Sequence, residues 1–168
     1  MTPSAPQLPA TVRTFTQLLS STRRGARLAR LLTAGELAAW EVAPDVAERA
    51  EQIVAELAAN AFFHGRVRGR DFRLDLALDT SAGTLRVEVT DARGDRFPGH
   101  RPNAEPDAES GRGILLVAAL ADRWGTSLYV PGGKTVWAEL DSGPACMDAS
   151  TRPTGGSADG RRPDSSMA

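Results

Sequence analysis

The 168-residue chain has the size of one domain, and with 41% hydrophobic residues it can supply a real core. Its 20 basic and 21 acidic residues nearly cancel, so the whole-molecule field exerts no general pull on nucleic acid or an anionic membrane. One cysteine, Cys146, and two scattered histidines provide neither an internal disulfide nor a structural zinc set, which suits a reducing compartment.

The opening MTPSAPQLPA is Pro-rich and lacks a basic start followed by an apolar run. The longest apolar stretch, 114–121, is too short to cross a bilayer, so the expectation is a cytoplasmic protein. Residues 1–10 and 142–168 are rich in Pro, Ser, Gly and Ala and cannot bury enough surface to offset their ordering entropy. Two disordered tails around a folded unit at 11–141 are expected.

Thr14 to Leu19 reads as a short strand. Ser21 or Thr22 can then cap a helix in which Leu28, Leu31, Leu32 and Trp40 recur at near-helical spacing, and whose Arg23, Arg24, Arg27 and Arg30 form a basic face that is either solvated, the favoured reading, or able to meet a membrane or an acidic partner. Pro44 and Asp45 open a second helix, with Glu48 three residues past the Asp in a capping-box arrangement. Its apolar stripe is Val46, Ala50, Ile53, Leu57 and Ala61, and Gly65 stops it.

Phe72 to Leu78 and Leu85 to Val89 alternate apolar with polar residues around an Ala82-Gly83 turn, predicting a half-buried antiparallel hairpin. From Arg93 to Ser110 periodicity is lost and prolines accumulate, predicting a lid-like loop at 95–110. Gly113 to Asp122 returns to a helical pattern, and 124–130 with 135–140 form a second hairpin around Pro131-Gly132-Gly133. The order predicts an α+β fold: a two-layer α/β sandwich, its mostly antiparallel sheet carrying helices on one face, with space for a small ligand between the layers.

Glu56, Asn60 and His64 lie four apart on the second helix and form one row beside the apolar stripe. A carboxylate there can take a proton, a carboxamide oxygen can complete a magnesium shell, and an imidazole can approach phosphate oxygens. Asp91 ends an alternating strand, where its carboxylate can accept from an adenine amino group, and Gly94 follows closely. Gly111 and Gly113 precede an apolar helix, so bare amides and the helix dipole can hold a polyphosphate. Thr135 enters the final strand with a hydroxyl that can reach the base or a water beside Asp91.

Each feature alone has an ordinary structural explanation; their order and spacing point to one site. ELAANAFFHG (56–65) resembles the N box of the GHKL ATPases, the group that includes sensor histidine kinases, Hsp90, gyrase and anti-sigma kinases. DARGD (91–95) resembles the first glycine box, GRGILLV (111–117) the second, and GKTVWAEL (133–140) the closing strand of the short bacterial regulatory members. The likeness spans roughly 14–141.

The resemblance implies the Bergerat fold, ATP and Mg2+ as ligands, and the activity of an anti-sigma-type serine kinase. Such proteins are typically homodimers that hold a sigma factor and phosphorylate an antagonist protein. It assigns Glu56 as general base, Asn60 as magnesium ligand, Asp91 as adenine reader, Gly111 and Gly113 as phosphate-side backbone, Thr135 as helper to Asp91, and His64 as a phosphate contact. The chain departs from the family pattern in the first glycine box, where Arg93 stands for the first glycine and Gly94 is displaced by one. A non-catalytic ATP-gated protein-binding module, and a domain that no longer takes nucleotide, are the alternatives.

Overall fold

The computed structural model describes residues 11–64, 70–93 and 110–143. In chain order the elements are β1 (Val12–Leu19), α1 (Arg23–Ala39), α2 (Pro44–Phe63), β2 (Phe72–Asp79), β3 (Thr84–Asp91), α3 (Ser110–Leu120), β4 (Arg123–Tyr129) and β5 (Gly133–Asp141). The five strands form one antiparallel sheet in the order β1-β2-β3-β5-β4, so β5 inserts between β3 and β4. All three helices share one face, as an α+β sandwich requires.

The sheet's inner face follows directly from the alternation in the sequence. Phe72, Leu74, Leu76 and Leu78 of β2, Leu85, Val87 and Val89 of β3, and Val136, Ala138 and Leu140 of β5 are all buried. Against them lies the α2 stripe, with Val46, Ala50, Ile53, Leu57 and Ala61 each 3% exposed or less. The outer face instead carries paired charges: Arg86 reaches Glu139 at 2.7 Å and Arg123 reaches Glu139 at 2.8 Å. Arg123 and then Arg86 hold the Glu139 carboxyl below the usual carboxylate range.

Two expectations at the helices are corrected. In α1 the buried row is Gly25, Ala29, Thr33 and Leu37, whereas Leu28 and Leu31 are 42% and 59% exposed. A Cβ at Gly25 would overlap the Ser20 carbonyl that precedes the helix, so this face starts with glycine and continues through Ala29 and Thr33. The hydroxyl of buried Thr33 donates to the Ala29 carbonyl at 2.9 Å, so its burial leaves no polar group unpaired. The other expected α1 feature holds, because Thr22 caps the helix through its side chain.

In α2 no capping box forms. Ala43 is the N-cap without a side-chain bond, Pro44 opens the helix, and Asp45 lies in the first turn. Proline is pre-set for the first helical position, where its missing N–H would have had no intrahelical partner, while Asp45 still favours the positive helix end. At the other end His64 is the C-cap, and Gly65 lies outside the described residues, as do Gly94 and residues 95–109 of the expected lid.

Arg49 ties the helical layer to the sheet. Its guanidinium donates to the Leu120 carbonyl at the end of α3 (3.1 Å) and to Asp122 (3.4 Å), and Asp122 accepts the Asp141 amide of β5 (2.8 Å). A cation at a helix C-terminus with a charge-assisted bond contributes about 1 kcal/mol at this partial exposure. Arg49→Ala should therefore lower the melting temperature by about 4 °C in a thermal unfolding scan. Among the described residues no helix is long and apolar enough to cross a membrane.

Candidate functional site

The site begins on α2. Glu56 and Asn60 stand one turn apart and are half-buried, while the flanking Leu57, Ala58 and Ala61 are buried against the sheet. The apolar stripe fixes the rotation of the helix, which leaves the polar pair on the edge facing α3. There Gly113 closes on them. A Cβ added at Gly113 would lie 2.7 Å from Glu56 Oε2 and 3.6 Å from both Asn60 side-chain atoms. Only a glycine lets the α3 backbone sit this close to the carboxylate.

Gly111 and Gly113 fall inside the first turn of α3, which starts at Ser110, rather than ahead of the helix. The first turn of a helix has amides without intrahelical partners, so this position aims N–H groups and the positive dipole end out of the helix. The structure therefore brings together a carboxylate, a carboxamide and a helix N-terminus. Such a set can accept a proton, ligate a hard cation and hold an anion.

His64, one turn beyond Asn60, is half-buried at the helix end. Its backbone N–H donates to the Asn60 carbonyl at 2.8 Å, and its ring lies 6.4 Å from that of exposed Phe63. It continues the row of Glu56 and Asn60, and no contact joins its ring to either.

Asp91 occupies the inner face at the end of β3, in phase with Val87 and Val89, and is 7% exposed. Its carboxylate is engaged on both oxygens. Oδ1 accepts the Arg93 amide at 2.8 Å, and the Lys134 ammonium lies 2.8 Å from Oδ2 and 3.1 Å from Oδ1. The same ammonium donates to the Arg93 carbonyl at 3.0 Å. Gly133 lets β5 pass over this corner, because a Cβ there would overlap the Asp91 carbonyl oxygen.

Thr135 is placed differently from its expected role. Strand register pairs Thr135 with Thr90 and Lys134 with Asp91, so the Thr135 side chain is on the outer face. Its hydroxyl shares a 2.7 Å hydrogen bond with that of Thr90. The residue that reaches Asp91 from β5 is Lys134, which is not among the expected site residues. Counting back by twos from Leu140 through Ala138 and Val136 would have found it, since a lysine in phase with a buried apolar row implies a buried partner.

The candidate residues Glu56, Asn60, Asp91, Gly111, Gly113 and Thr135 all lie within residues 19–140, the stretch matched by a sequence-family model described as histidine kinase-like ATPase domain. The chain belongs to that family. An ATPase domain of this family implies ATP binding, and the five-stranded antiparallel sheet with three helices on one face is consistent with the GHKL, or Bergerat, fold.

Two solved structures from this fold extend the comparison. One, titled as the RsbU and RsbW domains of Rv1364c from Mycobacterium tuberculosis, aligns with a TM-score of 0.58 at 19% identity over 76% of this chain. The present chain spans 32% of that protein's length. The other, from the SiaB-SiaC complex of Pseudomonas aeruginosa, aligns with a TM-score of 0.56 at 14% identity, covering 75% of this chain and 88% of that one. At these identities the likeness is one of fold. No curated protein matches the sequence.

Proposed function

We propose that this protein is an ATP-dependent serine/threonine protein kinase of the anti-sigma regulatory type, acting on an antagonist protein in the cytoplasm. The observation that carries this reading is the closure of Gly113 over Glu56 and Asn60, which sets a carboxylate and a carboxamide against the first turn of α3. The neighbour whose title contains RsbW domains supports a regulatory setting by fold. A sigma factor and its antagonist are the partner class this reading names, with the protein acting as a homodimer.

In this reading Glu56 accepts the proton of the acceptor hydroxyl as its oxygen bonds to the terminal phosphorus and the bond to the ADP oxygen breaks. The α3 amides at Gly111 and Gly113 face the charge that builds on the transferred group. Asn60 would hold Mg2+, which neutralises phosphate charge when bound, with remaining ligands from phosphate and water oxygens. The Asn60 carboxamide oxygen suits this use, because magnesium takes oxygen ligands and is usually held by one or two protein groups with phosphates. His64 extends the row toward phosphate, and Asp91 accepts from the base.

Calorimetric titration with ATP and magnesium tests the ligand assignment. Asn60→Ala should weaken magnesium-dependent ATP binding by roughly tenfold or more, the order seen when support of a bound metal is lost. An unchanged affinity would remove Asn60 from the site. Labelled ATP added to the native complex with its co-purified proteins tests the kinase assignment, with labelled serine or threonine on a partner as the expected product.

Arg93 favours a second reading. It stands where the family pattern has glycine, and its amide and carbonyl are both bound into the Asp91–Lys134 corner. In that reading ATP binding only controls capture of a protein partner, and no phosphoryl group leaves the nucleotide. Partner capture that depends on ATP with no labelled product would select it.

A further inference from the structure

The outer face of the sheet, opposite the helices, buries two hydroxyls. Thr90 and Thr135 are each 6% exposed there and share their 2.7 Å hydrogen bond. Register sets Arg73 beside Thr90 and Tyr129 beside Gly133, and the side chains of Arg73 and Tyr129 meet across the two threonines. Arg73 Nη1 donates to the Tyr129 hydroxyl at 3.3 Å, and the guanidinium lies 5.1 Å from the centre of the Tyr129 ring. Arg73 Nε donates to Asp75 at 2.7 Å, and Asp75 accepts the Thr16 hydroxyl at 2.8 Å. A polar strap thus runs over the sheet from β1 to β4.

Beside this strap is a cavity of about 190 Å³ whose walls include Leu18, Arg70, Asp71, Arg73, Tyr129 and Pro131. Leu18 pairs with Arg73 and Tyr129 with Gly133, on the face of the sheet away from Glu56, Asn60 and Gly113. Pockets for drug-sized ligands measure roughly 300–1,000 Å³, so this one suits a molecule of amino-acid size and is too small for a nucleotide.

Both signs of charge and an apolar surface meet in these walls. Of the five N–H groups of Arg73, two are used in the strap and three have no partner among the described residues. The Tyr129 hydroxyl accepts from Arg73 and keeps its own hydrogen. Arg70 and Asp71 make no hydrogen bond or ion pair with another described residue. Leu18 and Tyr129 are 60% and 42% exposed, and Pro131 completes the apolar wall. A ligand with only a negative charge would meet Asp71, and one with only a positive charge would meet Arg70 and Arg73. A ligand that carries both, on a short apolar body, sets each part against its complement.

We infer that this cavity binds a free apolar α-amino acid. Its carboxylate accepts from Arg73, Arg70 and the Tyr129 hydroxyl, its ammonium donates to Asp71, and its side chain lies against Leu18, Pro131 and the Tyr129 ring. The site is on the opposite side of the sheet from the proposed nucleotide site, and it stands under either reading of that site.

Calorimetric titration of the full-length protein with leucine tests this, alongside isocaproate, which is leucine without its ammonium, and isoamylamine, which is leucine without its carboxylate. Leucine should bind saturably at millimolar concentration or below, and each analogue should bind at least about tenfold more weakly, the loss expected when a charge-assisted hydrogen bond goes unmade. Asp71→Asn, at an exposed position, should weaken leucine by about tenfold and leave isocaproate no weaker. A general loss of the pocket would weaken both, so the pair of ligands separates the two causes. Saturating ATP should leave leucine bound. No leucine binding at millimolar concentration, an analogue that binds as tightly as leucine, an unchanged leucine affinity in Asp71→Asn, or displacement of leucine by ATP would each overturn the assignment.

Discussion

Replacing Glu56 by alanine should leave ATP binding in place and slow phosphoryl transfer to the acceptor protein by about a hundredfold or more. A positioned general base typically supplies 10²- to 10⁴-fold, and the Glu56 carboxylate is the acid group that α3 packs against. The residue is half-buried beside the buried Leu57, so truncating it removes no core contact of the stripe and should leave the fold unchanged. The measurement is single-turnover transfer from labelled ATP at saturating nucleotide, which separates chemistry from binding. A slowing of less than about tenfold would take Glu56 out of the mechanism. Under the module reading the same variant keeps partner capture and its dependence on ATP, so assaying capture alongside transfer separates the two proposals.

How much of this site could be read in the sequence depends on how local each signal is. The α2 stripe and the β2–β3 alternation report their own burial, because each element's period fixes which residues share a face. For that reason Glu56 and Asn60 lie in one half-buried row beside the α2 stripe, and Asp91 lies at the end of the alternating β3 strand. The face of α1 was not legible in the same way. Its leucines outweigh Gly25, Ala29 and Thr33 in hydropathy, yet Gly25 lies where the Ser20 carbonyl leaves no room for a side chain, a contact that no helical period reports. The opening of α2 shows a similar limit on a smaller scale, since the helix begins at Pro44, with Ala43 as its N-cap, which puts Asp45 inside the first turn instead of at the cap.

The roles of Thr135 and Lys134 turn on register, which couples residues 44 positions or so apart in the chain and leaves only a parity signal in either strand. With Thr90 opposite Thr135 and Asp91 opposite Lys134, a shift of one residue would exchange the two. Val136, Ala138 and Leu140 fix that parity through their burial, and so commit Lys134 to the inner face. The sheet thereby selects a cation rather than a hydroxyl as the neighbour of the Asp91 carboxylate.

Gly113→Ala should separate stability from catalysis at this site. The added methyl would fall 2.7 Å from Glu56 Oε2, closer than van der Waals contact allows, while its 3.6 Å distances to Asn60 are ordinary. The obstructed atom is the far end of a flexible side chain, so the carboxylate can swing away at little cost to the fold. Alanine in a helix also favours the folded state over glycine by about 0.5–1 kcal/mol, so unfolding stability should be unchanged or slightly raised. Transfer should nonetheless fall by roughly tenfold to a hundredfold, because a displacement of about 1 Å at a reacting group can cost that much. ATP affinity should change far less, since the amide of residue 113 and the Asn60 carboxamide both persist. Denaturant unfolding, nucleotide titration and single-turnover transfer on the one variant distinguish the outcomes. Transfer at the normal rate in a stably folded Gly113→Ala protein would mean that the position of the Glu56 carboxylate does not matter, and the closure of α3 over it would then be packing alone.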